Sequence, residues 1–228
     1  LDDGTTMAVS YKEPIHYKNA AGEWVDYDNS LKNETVNSAS PDEVTEEYTN
    51  KKSDFKVNYS KKSKENSMVK IKDDNQKISW GYKDTNKVKS TIVNNDEKLT
   101  GNDKFTALKN LTSEITYENI YDDVDVQYFT TTTGVKENII LKNKNARSDF
   151  YIQYKFNNLT AKSVDDKTVE LLNSKGEAVY KIEAPFMFDN DGNKSTDLTL
   201  SITEQKKNKL TLKVSADKKF LSDCSYPV

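Results

Sequence analysis

His16 is the only imidazole in this chain, Cys224 the only thiol and Arg147 the only guanidinium, so most common reaction centres lack their parts. A nucleophilic Ser or Cys needs a base beside it. His16 stands in Pro14-Ile15-His16-Tyr17, where alternation reads as a strand, and a structural role outweighs a catalytic one. His16 and Cys224 alone also fall short of three zinc ligands of the imidazole and thiol types. With a single arginine, bidentate clamps on phosphate or carboxylate are nearly absent, which argues against phosphoryl chemistry.

Carboxylates are plentiful, and three places draw notice. Asp122, Asp123 and Asp125 form the densest acidic cluster, read as turn or strand-edge solvation in preference to a cation site. Asp189, Asp191 and Asn193 imitate the start of a calcium loop, but the sixth position is not Gly and the twelfth is Leu200 instead of Glu, so a hairpin turn at Asp191-Gly192 is the better reading. Glu137 alternates onto the same face as Val135, Ile139 and Leu141. A carboxyl among apolar neighbours must be paired or kept neutral. It therefore reads as a paired structural acid or as a buried acid lining a ligand cleft.

Aromatic side chains supply the remaining candidates, because the apolar face of a sugar packs on a ring while polar groups hold its hydroxyls. Trp24 and the cluster Trp80-Gly81-Tyr82 are the platforms available, with core packing as the competing role in a chain of 13 Tyr. The candidate ligand-binding residues are thus Trp24, Trp80, Tyr82 and Glu137. No catalytic residue, metal ligand or cofactor is expected.

The elements that must position these groups are strands. Phe150, Ile152, Tyr154 and Phe156 alternate with polar residues, and Leu198, Leu200 and Ile202 are answered across Lys206-Lys207-Asn208 by Leu210, Leu212 and Val214, the pattern of an antiparallel hairpin. Val169 and Leu171 lead through a turn, with Gly176 at a positive-φ position, to Val179 and Ile182. Val124, Val126 and Tyr128 turn at Gly134 into 135–141. The first hundred residues carry shorter strand signals at 7–11, 15–17, 23–29, 55–59, 68–71 and 78–82. Polar connectors are expected at 32–45 and 60–66, and short helix starts at 41–43 or 104–109. No fixed-period repeat argues for a propeller or solenoid.

The fold class is therefore all-β: an antiparallel β-sandwich with few short helices, either extended or two-lobed. The best internal seam lies at 99–103, dividing a β-rich lobe at 1–102 from a sandwich lobe at 103–228, with one continuous domain as the alternative. The 34 Lys+Arg against 37 Asp+Glu leave a formal charge of −3, too balanced to gather nucleic acid. No apolar stretch approaches the ~20 residues of a membrane span, so no membrane insertion is expected. The abrupt start at Leu1, and a stop at Val228 after a strand signal, read as a segment of a longer polypeptide.

Several motifs in order resemble the N-terminal region of large Gram-positive surface proteins, namely the wall-associated, RHS/YD-repeat and DNRLRE-domain proteins. They are Leu1-Asp2-Asp3-Gly4-Thr5, Gly22-Glu23-Trp24-Val25-Asp26-Tyr27, Ile115-Thr116-Tyr117-Glu118-Asn119-Ile120-Tyr121, Gly134-Val135-Lys136-Glu137-Asn138, Ala184-Pro185-Phe186-Met187-Phe188-Asp189 and Tyr226-Pro227-Val228. Residues 34–109 share no such pattern. The resemblance implies export, a β-rich region ahead of repeats or toxin modules, and no catalytic residues to carry over. The expectation is a non-catalytic, secreted or cell-surface domain, adhesive or scaffolding, whose partner is a host protein, an immunoglobulin or a glycan. A polysaccharide-acting enzyme on a β-sandwich and a structural cap of a downstream repeat region are the rivals.

Overall fold

The computed structural model describes residues 12–37, 44–73, 76–94 and 111–228. The strand signal at 7–11, the seam at 99–103 and the helix starts at 41–43 and 104–109 lie outside the described residues.

β1 (His16–Lys18) and β2 (Trp24–Asp26) make a small hairpin. An antiparallel meander follows: β3 (Asp28–Asn37), β4 (Val44–Lys52), β5 (Lys56–Ser60), β6 (Val69–Asp73) and β7 (Gln76–Tyr82). The chain then builds a second, four-stranded sheet from β8 (Ser90–Asn94), β9 (Ser113–Tyr121), β10 (Val124–Thr130) and β11 (Val135–Leu141), in the order β11-β10-β9-β8. β12 (Asp149–Asn157) returns to the first sheet and pairs with β7. After a three-stranded sheet of β13 (Thr160–Ser163), β14 (Val169–Leu172) and β15 (Ala178–Ile182) comes the hairpin of β16 (Met187–Phe188) and β17 (Lys194–Ser195). β18 (Thr199–Lys206) and β19 (Lys209–Ser215) then complete an eight-stranded sheet, ordered β18-β19-β12-β7-β6-β5-β4-β3. α1 (Lys218–Asp223) is capped by Asp217, whose carboxylate accepts from the amides of Lys219 and Phe220.

Period-2 alternation turns this pairing into two layers. Val57, Tyr59, Val69, Trp80 and Tyr82 of the large sheet and Ile115, Tyr117, Val124, Val126 and Tyr128 of the small one are buried against each other. Tyrosine fills much of the gap: the Tyr59 and Tyr128 rings lie 5.9 Å apart, and Tyr117 meets Tyr128 edge-on at 6.1 Å. Buried hydroxyls must then find acceptors. Tyr59 Oη and Thr130 Oγ1 are 2.8 Å apart, and Tyr117 Oη donates to the Ser60 carbonyl at 2.5 Å. Tyr117→Phe is expected to cost about 1 kcal/mol, the net worth of one such bond. An unchanged urea midpoint would contradict the assignment.

One connector is corrected. Residues 32–45, expected as a solvated loop, contribute most of β3 and the start of β4. The strand signal was hidden because this hairpin is the sheet edge and its outward residues are charged. Glu34 accepts from Lys56 Nζ at 2.5 Å and from Asn58 Nδ2 at 2.6 Å, so polar pairs replace the apolar alternation there.

Candidate functional site

Glu137 is built into the seam between the layers. β11 is an edge strand of the small sheet, and Glu137 stands directly opposite Tyr128 of β10, so the carboxyl turns inward with that ring. The residue as a whole is half-buried, as an edge position allows, while its Oε1 is sealed from solvent. The Tyr128 and Tyr82 hydroxyls and the Trp80 indole N–H lie close enough to favour the charged carboxylate. Glu137 Oε1 and both hydroxyls nevertheless make no hydrogen bond of normal geometry. Burial is the larger effect, and it pushes the carboxyl pKa above the usual range. The phenols of Tyr82, Tyr128 and Tyr154 are raised in turn, by burial first and by the neighbouring carboxyl second. The cluster is thus a carboxyl disposed to hold its proton, ringed by un-ionised phenols.

Of the four expected ligand-binding residues, the structure brings Trp80, Tyr82 and Glu137 together, and Trp24 stands apart. Tyr82 is fully buried, and Trp80, 8% exposed, stacks on Tyr154 with ring centres 6.0 Å apart. Trp24 belongs to the β1–β2 hairpin, is 69% exposed, and carries the Lys18 ammonium 5.2 Å from its ring centre.

The other polar candidates form separate local structures. His16 Nε2 pairs with Asp26 Oδ1 at 2.9 Å across the first hairpin, with both side chains exposed. Asp125 accepts from the Asn119 amide at 2.6 Å and from Lys142 at 2.8 Å, closing the β9–β10 turn, and Asp123 holds that turn at φ 60°. Asp189 organises the β16–β17 hairpin. Its carboxylate accepts from the amides of Asp191 and Asn193 and from the Asn193 side chain, and reaches the Ser225 amide at 3.4 Å. The Asn193 donor leads these contacts in holding the acid below its ordinary pKa. Gly192, at φ 82°, occupies the turn position expected for it. No grouping of three His, Cys, Asp or Glu suited to a metal occurs among the described residues.

Two surface features escaped the reading of residue types. Phe186 and Phe188, each 48% exposed, pack edge-on at 5.2 Å under the Lys194 ammonium. On the outer face of the large sheet, Lys56, Lys70, Lys72, Lys77 and Lys155 line an open groove of about 730 Å³. Each lysine's place in its own strand's alternation is visible in the sequence, but the register that gathers the four strands β5, β6, β7 and β12 is not.

Comparison with known proteins gives distant relatives. The chain is 27% identical over 188 residues, 82% of its length, to a protein of Bacillus subtilis strain 168 named tRNA nuclease WapA. It is 26% identical over the same share to one of Bacillus subtilis subsp. natto named tRNA(Glu)-specific nuclease WapA. The match spans only 7% of each of these proteins. A protein of Geobacillus stearothermophilus named wall-associated protein is 24% identical over 83% of this chain, and there the match spans 69% of the relative. No family model and no solved structure matches the chain.

These relatives support a wall-associated, bacterial, extracellular location. No helix among the described residues is long and apolar enough to cross a membrane. The expectation of a non-enzymatic adhesive or scaffolding domain is corrected, because relatives aligned over most of this chain are named tRNA nucleases. The physical reason is one of reach. Scarcity of imidazole, thiol and guanidinium describes these 228 residues, and it has no force for proteins of which the match spans 7%.

Proposed function

We propose that the protein carrying this chain is a cell-wall-associated nuclease acting on tRNA. The observation that carries the reading is the alignment of 188 residues, 82% of the chain, with proteins named tRNA nuclease WapA. The wall-associated relative of Geobacillus stearothermophilus supports the surface half of it. The motifs resembling RHS/YD-repeat and DNRLRE-domain proteins fit the same picture, in which a β-rich extracellular segment belongs to a long exported polypeptide.

The test is direct. The full-length protein is incubated with total tRNA, and the products are resolved by denaturing electrophoresis. Discrete tRNA fragments are expected. Intact tRNA, with the protein shown to be folded, would overturn the reading.

A further inference from the structure

We infer that the outer face of the large sheet binds a linear phosphodiester polymer of the bacterial wall, a chain of polyol units joined by phosphates. The inference rests on the extracellular location and is independent of the nuclease reading.

The face is assembled by register. Lys56 of β5 stands opposite Lys72 of β6, and Lys72 opposite Lys77 of β7. In the next row Lys70 stands opposite Ser79, Ser79 opposite Lys155 of β12, and Lys155 opposite Lys209 of β19. Directly opposed like charges destabilise a sheet, so stability alone gives no reason to place three lysines in one row. Two carboxylates soften the field at one end: Glu34 pairs with Lys56 at 2.5 Å, and buried Glu47 pairs with Lys70. Lys72, Lys77 and Lys155 have no ion-pair partner among the described residues, while Lys209 lies within the field of Glu204. A chain of net charge −3 thus concentrates positive charge on one concave surface.

The chemistry of the lining narrows the occupant. Among the described residues that line the groove, the only aromatic one is Phe156, which is 5% exposed and belongs to the core. Within that lining no exposed ring is offered on which a nucleobase or sugar could stack, and Tyr151, on the same face of β12, lies outside it beneath the Lys213 ammonium, which disfavours single-stranded RNA and neutral polysaccharide as occupants of the groove. The cations are ammonium groups on flexible stems, and Arg147 lies elsewhere, 4.3 Å from the Tyr121 ring. Lysines act as hydrated point charges and require no fixed fork geometry of the phosphate. Strands 4.8 Å apart, with same-face residues about 6.8 Å apart along each strand, repeat the charge in two directions. Such a lattice can meet successive phosphates of a mobile chain. Asn58, Ser79 and Asn157 stand between the lysines and can donate to the polyol hydroxyls.

The experiment is cosedimentation of the 228-residue protein with purified Gram-positive walls, either intact or stripped of phosphodiester polymer by hydrofluoric acid. Retention on intact walls is expected, weakening as salt rises and falling at least tenfold on stripped walls. The triple variant Lys72→Glu, Lys77→Glu, Lys155→Glu should lose retention at least tenfold. A control of equal charge change at exposed positions off this face, Lys144→Glu, Lys175→Glu, Lys219→Glu, should lose less than threefold. Thermal melts confirm that each variant is folded. Equal binding to stripped walls, or equal losses in the two triple variants, would overturn the proposal. So would tighter binding to free tRNA than to walls, which would make RNA the occupant. None of these results depends on tRNA cleavage, so failure here and failure of the nuclease reading are told apart.

Discussion

Replacing Glu137 by Gln is expected to give a protein matched to the wild type near pH 4 and more stable than it at neutral and alkaline pH. The sign follows from linkage. Burial lifts the Glu137 pKa in the folded state above its ordinary value, so the folded protein holds this proton more tightly than the unfolded chain does. The resulting stability is fully present below the unfolded pKa, about 4.3, and is lost as pH rises through the folded value. The slope is at most about 1.4 kcal/mol per pH unit for one proton. The groups facing the carboxyl are Tyr128 of β10, Tyr82 and Trp80 of β7, Tyr59 of β5 and Tyr154 of β12, and burial keeps those phenols un-ionised through the range. Glutamine keeps the shape and cannot ionise. Other acids, among them Glu34 and Asp149, are lowered and act in the opposite sense, but they are common to both proteins. The difference in urea-derived stability between the two proteins, plotted against pH, isolates Glu137. A difference that stays flat from pH 4 to 9, or that favours the wild type at high pH, would refute the buried acid.

Among the described glycines, Gly81→Ala should be the most damaging substitution. A Cβ at this position would sit closer to the Lys64 carbonyl oxygen than any real Cβ does, 2.9 Å from the Asn66 amide and 3.2 Å from Met68 Cγ. Backbone, not a flexible side-chain tip, would have to move. The segment in the way is fastened by the Met68 amide to the Trp80 carbonyl at 2.8 Å and by the Ser63 amide to the Val88 carbonyl at 2.9 Å. Overpacking against such a segment costs on the order of 3 kcal/mol. Gly176→Ala provides the comparison, since φ is 81° there and no atom lies within 4 Å of the added methyl. Its cost is backbone strain alone, roughly 1 kcal/mol. If urea denaturation ranks Gly176→Ala as equal to or worse than Gly81→Ala, the close approach in β7 is wrong.

That pair of glycines shows where the sequence is legible. Gly176 announces itself, because it lies in a polar turn between two alternating runs. Gly81 does not, since its reason is a segment about fifteen residues upstream that folds back over β7. The same division holds for the strands. β10, β11, β12 and β19 are written in alternation, and alternation also turned Glu137 inward with Val135, Ile139 and Leu141. Which rings from the other sheet would meet its carboxyl depends on how the two layers stack, and periodicity within a strand carries no such information. β3 and β4 went unread because an edge hairpin with charged outward residues resembles a loop in composition. The lysine face was invisible for a related reason: Lys72, Lys77 and Lys155 are ordinary surface residues until register sets them side by side. Composition misled most on function, where the residue types of 228 positions were asked to speak for proteins more than ten times the matched length.

The buried carboxyl and the lysine face both require strands from the two halves of the chain to share one core, with β7 pairing β12 and the second sheet covering Val57, Tyr59, Trp80 and Tyr82. The most direct measurement is thermal melting of residues 1–102 expressed alone, beside the intact chain. Without its covering layer and with β7 left as an open edge, the fragment should lose signal gradually, with no cooperative transition, while the intact chain melts in one. A sharp, reversible transition of the fragment near the melting temperature of the whole chain would contradict the shared core.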